Sequence, residues 1–292
     1  MNSRDGLQRF LFENACVSGQ LAHLNVSYQA IINQRAYPAA VKKMLGEAMI
    51  SCLLLAGSLK FEGKLSLQFK GDKRLPLLVV QCDHQLHLRG MASFQEGLSD
   101  RAYSDAFLGG HMSLTLHQPG QIQPYQSVVP IQSAQMSENL TQYFSLSEQI
   151  ASRVWLATSD DNAAGLLLRL MPSDNLFEQE RSWEEAVMLA QTVSSEELLT
   201  LDNQILLHRL YDEITIRLFD DQLACFECTC NEHKIKQVLT LLGEEDIKNV
   251  LMTRGKIEIN CDFCNKKYCF DVIDAAMIFH DYKKGLLDPS SE

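Results

Sequence analysis

The chain has 292 residues, of which 46% are hydrophobic and 22% are charged, and its formal net charge is −11. A single core rarely takes more than about 150 residues, and this composition is that of a globular protein, so we expect two or more folded units rather than a disordered chain. The acidic balance argues against electrostatic binding to nucleic acid or to an anionic membrane.

Neither an export signal nor a membrane span is predicted. Residues 1–6 lack the charged start, apolar core and small-residue cleavage site of a signal peptide. The longest apolar run, residues 48–59, is shorter than the roughly 20 residues that cross a bilayer, and it predicts a buried helix instead. We therefore expect a cytoplasmic protein, in a compartment where structural disulfides are uncommon. Cys16, Cys52 and Cys82 have apolar neighbours and are expected to be buried, unreactive thiols.

Residues 1–172 are predicted to form a domain of mixed α and β structure. Charges nearly balance there, with 14 basic and 13 acidic side chains. Alternating or apolar runs predict strands at residues 65–69, 77–81, 113–116, 154–157 and 166–170. Helical patterns cover residues 27–36, 38 to about 58 and 137–144, and Pro38 suits a first helical turn. Because strands outnumber helices and do not alternate strictly with them, an α+β layer fold is favoured over a doubly wound sheet.

Residues 173–224 are predicted to form a helical linker, and they carry most of the acidic excess, with 12 acidic and 3 basic side chains. Apolar residues recur at three- and four-residue spacing over 183–193. Ser194 and Glu197 fit a capping box, and Asp202 suits the N-cap of a following helix. Helices this short need docking against another surface. The segment is therefore either a helical extension of the first domain or a metastable linker that folds conditionally.

Residues 225–292 contain two close pairs of cysteines that predict a zinc-binding domain. The pairs are Cys228 with Cys230, and Cys261 with Cys264. Each pair supplies two thiolates from one turn, so that four can meet around one ion at Zn–S distances of about 2.3 Å. A unit this small has little apolar core, and metal binding would supply missing folding free energy. The competing interpretation, unrelated buried thiols, requires two such pairs to coincide by chance.

The same region predicts two helices, over 235–242 and 247–251, with Gly243 between them, and a strand at 256–260 that leads into the second cysteine pair. Thiolates are the form of cysteine that oxidants attack, so the site also suggests a redox switch, although a purely structural zinc is the ordinary role.

Three further residues could replace a zinc ligand or form a competing disulfide. They are Cys225, Cys269 and His233. The four paired cysteines are favoured as ligands because Cys225 and Cys269 would need a different local spacing. Their simplest interpretation is two free thiols and a solvated residue at the start of a helix.

The chain contains the motif Phe226-Glu-Cys-Thr-Cys230, then a 30-residue spacer, then Cys261-Asp-Phe-Cys264 with Tyr268 just beyond. In these residues the sequence resembles the heat-shock protein 33 family of redox-activated bacterial chaperones. Further matches cover nearly the full length and lie at residues 9–14, 59–61, 143–144 with 147–149, 171–172, and 196–201 with 209–211.

The resemblance implies a mechanism. In the family, the four cysteines bind one zinc ion in the reduced, inactive protein; here they are Cys228, Cys230, Cys261 and Cys264. Oxidants such as peroxide yield the disulfides Cys228–Cys230 and Cys261–Cys264, the zinc is released, and the zinc domain and helical linker unfold. The resulting apolar surface binds unfolding client proteins without ATP, and the oxidised form is a homodimer.

Two other classes of function are less favoured. A zinc-containing nucleic-acid module predicts a basic face, yet residues 225–292 carry 9 basic and 12 acidic side chains. An enzyme is not expected, because the sequence has no phosphate-binding glycine loop and no hydrolase or metalloprotease motif. A four-cysteine zinc site also has no open coordination position. Four histidines near strands are interpreted as ordinary surface residues rather than a metal cluster: His84, His87, His111 and His117.

Overall fold

The computed structural model describes residues 5–121 and 123–284, and the chain divides into two compact units, Met1–Glu227 and Cys228–Glu292. The prediction that the chain has no export signal was based on residues 1–6, and residues 1–4 lie outside the described residues. The prediction of three domains, with boundaries at residues 172 and 224, stays a prediction.

The first unit contains twelve strands and six helices among its described residues. In chain order they are β1 Gly6–Phe12, β2 Val17–Leu24, α1 Val26–Ile32, α2 Ala39–Ser58, β3 Lys64–Lys70, β4 Leu77–Asp83, β5 His87–Ser93, β6 His111–His117, β7 Tyr125–Pro130, α3 Met136–Tyr143, β8 Ser152–Thr158, β9 Ala163–Leu170, α4 Leu176–Ala190, α5 Ser195–Thr200, α6 Asn203–Leu210, β10 Ile216–Leu218, β11 Gln222–Leu223 and β12 Cys225–Phe226. Two short helical turns, Asp100–Tyr103 and Phe144–Glu148, complete it.

These strands form two sheets. The first has the order β10-β1-β2-β9-β8, with β11 also paired to β1, and the second has the order β12-β5-β4-β3-β6-β7. Every pairing is antiparallel except that of β12 with β5. Antiparallel sheets with helices packed on their faces are typical of α+β folds, so the predicted fold class is confirmed.

Helix α2 forms the centre of the unit. It contacts strands of both sheets, and its side chains from Ala48 to Leu55 are completely or almost completely buried. A helix that is apolar on every side belongs inside a core, which confirms the buried helix predicted for residues 48–59. Pro38 is the N-cap residue of the helix and therefore lies just before its first turn, not within it as predicted. No helix within the described part of the chain is long and apolar enough to cross a membrane.

The five predicted strands lie within β3, β4, β6, β8 and β9, and the three predicted helices correspond to α1, α2 and α3. Strands β1 and β2 were not predicted, because glycine, glutamine and histidine interrupt their apolar pattern. Cys52 and Cys82 are fully buried as predicted, and burial raises the pKa of both thiols. The prediction for Cys16 was too strong, since that side chain is only half-buried.

Asp5 connects three parts of the first unit. Its carboxylate accepts hydrogen bonds from the backbone N–H groups of Asn25, Val26 and Ser27, at 2.6, 3.1 and 2.6 Å. These are the unpaired donors at the start of α1, so Asp5 takes the capping role that the side chain of Asn25 does not. The Asp5 carbonyl accepts a hydrogen bond of 3.0 Å from the N–H of Ala224, which anchors the chain just before β12.

Helices α4, α5 and α6 cover the face of the first sheet that α2 does not. Ala186, Leu198 and Leu206 are buried there against Phe10 and Leu168. The predicted capping box of Ser194 and Glu197 is confirmed, whereas Asp202 is the N-cap of α6 without a side-chain capping hydrogen bond.

The end of the predicted helical linker is not helical. Residues 216–218 and 222–223 are the strands β10 and β11, which extend the first sheet beyond β1. The sequence contains the period of a strand here, because the apolar residues Ile214, Ile216 and Leu218 occur at every second position. In the structure these three side chains are half-buried and the residues between them are exposed.

The second unit contains α7 Glu232–Leu242, α8 Glu244–Arg254, β13 Ile257–Asn260, β14 Lys267–Phe270 and α9 Val272–Lys283. The two predicted helices and the predicted strand correspond to α7, α8 and β13, and Gly243 separates the helices at φ +93°. Helix α9 was not predicted, although Asp271 and Asp274 form a capping box at its start. Strands β13 and β14 form an antiparallel hairpin, and the buried core of the unit is small.

Candidate metal centre

One cysteine pair lies in the turn of the β13–β14 hairpin. Cys261 follows β13 directly, and its N–H donates to the carbonyl of Lys266 at 2.9 Å. The N–H of Asn265 donates back to the carbonyl of Cys261 at 2.8 Å, with Asn265 at φ +55°. Asparagine tolerates this left-handed conformation better than most residues. The turn therefore presents Cys261 and Cys264 on one short loop.

The other pair immediately precedes α7. Asn231 caps this helix by accepting a hydrogen bond of 2.9 Å from the N–H of Lys234. The cap fixes where the helix begins and leaves Cys228 and Cys230 outside it, beside the hairpin turn of the same unit.

The four sulfur atoms lie together. Sγ of Cys228 is 3.7 Å from Sγ of Cys261, and Sγ of Cys230 is 3.4 Å from Sγ of Cys264. All four lie within 4.8 Å of one another. A tetrahedron of thiolates at Zn–S distances of about 2.3 Å has edges of about 3.8 Å, so the cluster could hold a zinc ion. All four are free thiols.

Burial and one hydrogen bond shape the environment of the cluster. Cys261 is buried and the other three cysteines are half-buried. The Tyr268 hydroxyl donates a hydrogen bond of 3.2 Å to Sγ of Cys230. Burial raises the pKa of this thiol, but the hydrogen bonds from Tyr268 and the other cysteines outweigh it and lower the pKa to about 7. The surroundings of Cys230 thus favour the thiolate that a metal requires, whereas burial raises the pKa of Cys228 and Cys264.

The three alternative residues lie outside this four-cysteine cluster. Cys269 is exposed on β14, where it pairs with Glu258. His233 is exposed in the first turn of α7. Cys225 is exposed on β12 and belongs to the first unit. Zinc binding by the four cysteines and their pairing into disulfides stay predictions.

The fold and the site together define an α+β domain followed by a small unit in which four clustered thiols could hold a metal ion. A family model described as Hsp33 protein matches residues 5–271. The 33 kDa chaperonin of Pseudomonas syringae pv. tomato is 41% identical over 281 residues, which are 94% of this chain and 93% of that protein. The 33 kDa chaperonin of Nitrosococcus oceani is 37% identical and covers 98% of each chain.

A solved structure has the same fold. The crystal structure of the 33 kDa chaperonin from Thermotoga maritima, a heat shock protein 33 homologue, superposes with a TM-score of 0.80. The match covers 96% of this chain and 99% of that one, at 21% sequence identity.

The chain belongs to the Hsp33 family. It is therefore a chaperone, and the resemblance noted in the sequence is confirmed. Its relatives are named as chaperonins, and that name describes a non-enzymatic function. The prediction that the protein is not an enzyme is therefore also confirmed.

Proposed function

We propose that the protein is a redox-regulated holdase, which binds unfolding and oxidatively damaged proteins during stress and prevents their aggregation without ATP. The observation that carries the proposal is the cluster of Cys228, Cys230, Cys261 and Cys264 in a unit with little other core. In the reduced, inactive state these four thiolates hold one zinc ion per chain.

The small unit depends on its sulfur atoms. A bound zinc ion would offset two of the four thiolate charges and would hold the segment before α7 to the hairpin turn. Cys261 is itself part of the buried core, and the other three cysteines pack against that core. With about 65 residues, the unit falls in the size range in which a structural metal commonly completes the folding free energy. Loss of the metal would therefore unfold it.

Oxidation would remove the ligands. In each proposed disulfide, Cys228–Cys230 and Cys261–Cys264, two thiolates lose two electrons, and one hydrogen peroxide takes up these electrons and two protons from the solvent to give two waters. The cysteines then release the ion, because a disulfide sulfur is no longer a thiolate ligand. The pairing draws its support from the family resemblance. It is also compatible with unfolding, since residues two or three apart stay within reach in a flexible chain.

Release of the linker would create the client surface. Helices α4 to α6 cover an apolar sheet face that includes Phe10, Phe12 and Leu166. Their dissociation exposes that face to unfolded clients by the ordinary hydrophobic effect. The acidic excess of residues 173–224 keeps the released segment extended and soluble. We further propose a homodimer in the oxidised state, a cytoplasmic location and no nucleic-acid or membrane partner.

The test follows zinc and activity together. Reduced, zinc-loaded protein is treated with peroxide at elevated temperature, a chromogenic chelator reports zinc release, and light scattering reports aggregation of a thermally unfolding client. We expect suppression of aggregation to appear as zinc is released and to disappear after re-reduction with zinc. Cys269→Ser, which leaves the four-cysteine cluster intact, is the matched control and should behave like the unmodified chain. Equal suppression before and after oxidation, with zinc retained, would refute the switch.

A further inference from the structure

A second group of metal-binding side chains lies in the first unit, at the start of β5. His87, Cys225 and Glu227 bring one ligand atom each to within 4.8 Å of one another. The Asp83 carboxylate lies beside this group, with Oδ2 2.9 Å from Nδ1 of His87. The sequence alone interpreted His87 as an ordinary surface residue. We call the three residues His87, Cys225 and Glu227 the Cys225 cluster.

The parallel pairing of β12 with β5 fixes the cluster. Cys225 pairs with His87, its N–H donates to the carbonyl of Leu86 at 3.2 Å, and the N–H of Glu227 donates to the carbonyl of Leu88 at 2.9 Å. Side chains two residues apart on a strand point to the same face. The backbone therefore directs Cys225 and Glu227 to one side, next to the imidazole.

The turn between β4 and β5 holds Asp83 next to the imidazole of His87. Oδ1 of Asp83 accepts hydrogen bonds from the N–H groups of Gln85 and His87, at 2.9 and 3.0 Å. Leu86 completes the turn at φ +64°, a conformation that non-glycine residues rarely adopt. Asp83 is thereby held in place by backbone donors before any ion binds.

The spacing suits a divalent ion. Nδ1 of His87 lies 3.4 Å from Oε2 of Glu227, and two ligands at about 2.0–2.1 Å on a tetrahedral ion are separated by about 3.4 Å. Charge favours the same conclusion, because Cys225 and Glu227 are negatively charged when deprotonated and the Asp83 carboxylate lies beside His87.

From this geometry we propose that the Cys225 cluster is a second metal site, for a divalent ion that accepts thiolate, imidazole and carboxylate ligands. Zn²⁺ fits this mixed set, whereas Mg²⁺ and Ca²⁺ prefer oxygen alone. With Cys225 and Glu227 exposed, the site is open to solvent and weaker than the four-cysteine cluster. A bound ion would attach the segment just before Cys228 to β5. This site does not depend on the proposed redox function.

Zinc titration of the full chain tests the proposal. Reduced protein that already holds zinc at the four-cysteine cluster is kept reduced with a non-chelating phosphine and titrated with Zn²⁺ alone by calorimetry. We expect one additional ion per chain. His87→Ala and Cys225→Ala should each weaken its binding at least tenfold. Two matched controls, His84→Ala in the same turn and Cys269→Ala on an exposed strand, should leave it unchanged.

The absorption spectrum of bound Co²⁺ tests the same site. Co²⁺ added in the same way should show the absorption of a site with a single thiolate, and this absorption should be lost in Cys225→Ala. Circular dichroism in the presence of a chelator should be the same for all variants, which separates lost ligands from lost folding. Absence of an additional ion in the unmodified chain, or an additional ion that persists in both His87→Ala and Cys225→Ala, would overturn the proposal.

Discussion

The phenolic oxygen of Tyr268 donates a hydrogen bond to Sγ of Cys230 at 3.2 Å, from a tyrosine ring that is itself buried in the core of the second unit. The ammonium group of Lys266 lies 5.2 Å from the centre of that ring. The bond joins the second strand of the hairpin to the cysteine that precedes α7, so the same residue supports the packing of the unit and the charge of one sulfur.

Tyr268→Phe should weaken metal binding without removing a ligand. A hydrogen bond to a charged group contributes about 1.5–3 kcal/mol, and loss of a partner around a metal ligand costs about 10–100-fold in affinity. We expect zinc affinity to fall by about tenfold and zinc release under peroxide to become faster, as measured by competition with a chromogenic chelator. Tyr282→Phe, at a half-exposed tyrosine of α9, is the control. Equal affinities for both variants would contradict a role for the hydroxyl.

Cys261→Ser should unfold the second unit. Cys261 is the most buried of the four cysteines, and its loss removes both a ligand and a core side chain. We expect zinc content to fall well below one ion per chain and the reduced protein to suppress client aggregation without oxidant. Atomic absorption and light scattering measure the two effects. Full zinc content in this variant would mean that Cys225, Cys269 or His233 replaces the missing ligand or that the ion is held at the Cys225 cluster, and adding His87→Ala to the variant, which removes only the second possibility, distinguishes the two.

Leu206→Ala should loosen the linker helices and leave the metal centre intact. Leu206 is fully buried against the first sheet, whereas its neighbour Ile205 is 54% exposed on the same helix. Truncation of a buried leucine costs about 2–5 kcal/mol. Under mild oxidation Leu206→Ala should therefore become active at a lower temperature, and proteolysis within α4 to α6 should be faster. Ile205→Ala is the matched control, and similar behaviour of the two variants would argue against linker docking as the restraint.

The pH dependence of stability should change in Glu47→Gln. Burial in α2 raises the pKa of Glu47, against the opposing effect of Lys43 at 3.9 Å. A raised pKa means that the stabilising contribution is complete below the unfolded value of 4.5 and is lost as the pH rises through the folded value. The variant should therefore melt at a higher temperature than the unmodified chain at pH 7, and the difference should vanish near pH 4. Glu138→Gln, at an exposed glutamate, should show no such trend.

The parts of the molecule that the sequence predicts are those whose signals are local. The spacing of Cys228 and Cys230 indicates a metal site, because two ligands on one turn are also close together in the sequence. In the same way, Ser194 and Glu197 indicate the start of a helix. The Cys225 cluster has no such signal. His87 and Cys225 are far apart in sequence, and only the parallel pairing of β12 with β5 brings them together.

The linker also covers one edge of strand β1. Along one edge this strand pairs with β2, and along the other it pairs with β10 and β11, at Phe12–Ile216 and Gly6–Leu223 for example. If the linker is displaced, that second edge loses its partners and presents a row of open amide and carbonyl groups. Only an extended segment can add to such an edge, because a folded chain has already paired its own backbone. Displacement would thus create a template that distinguishes unfolded proteins from folded ones by their backbone rather than by their side chains.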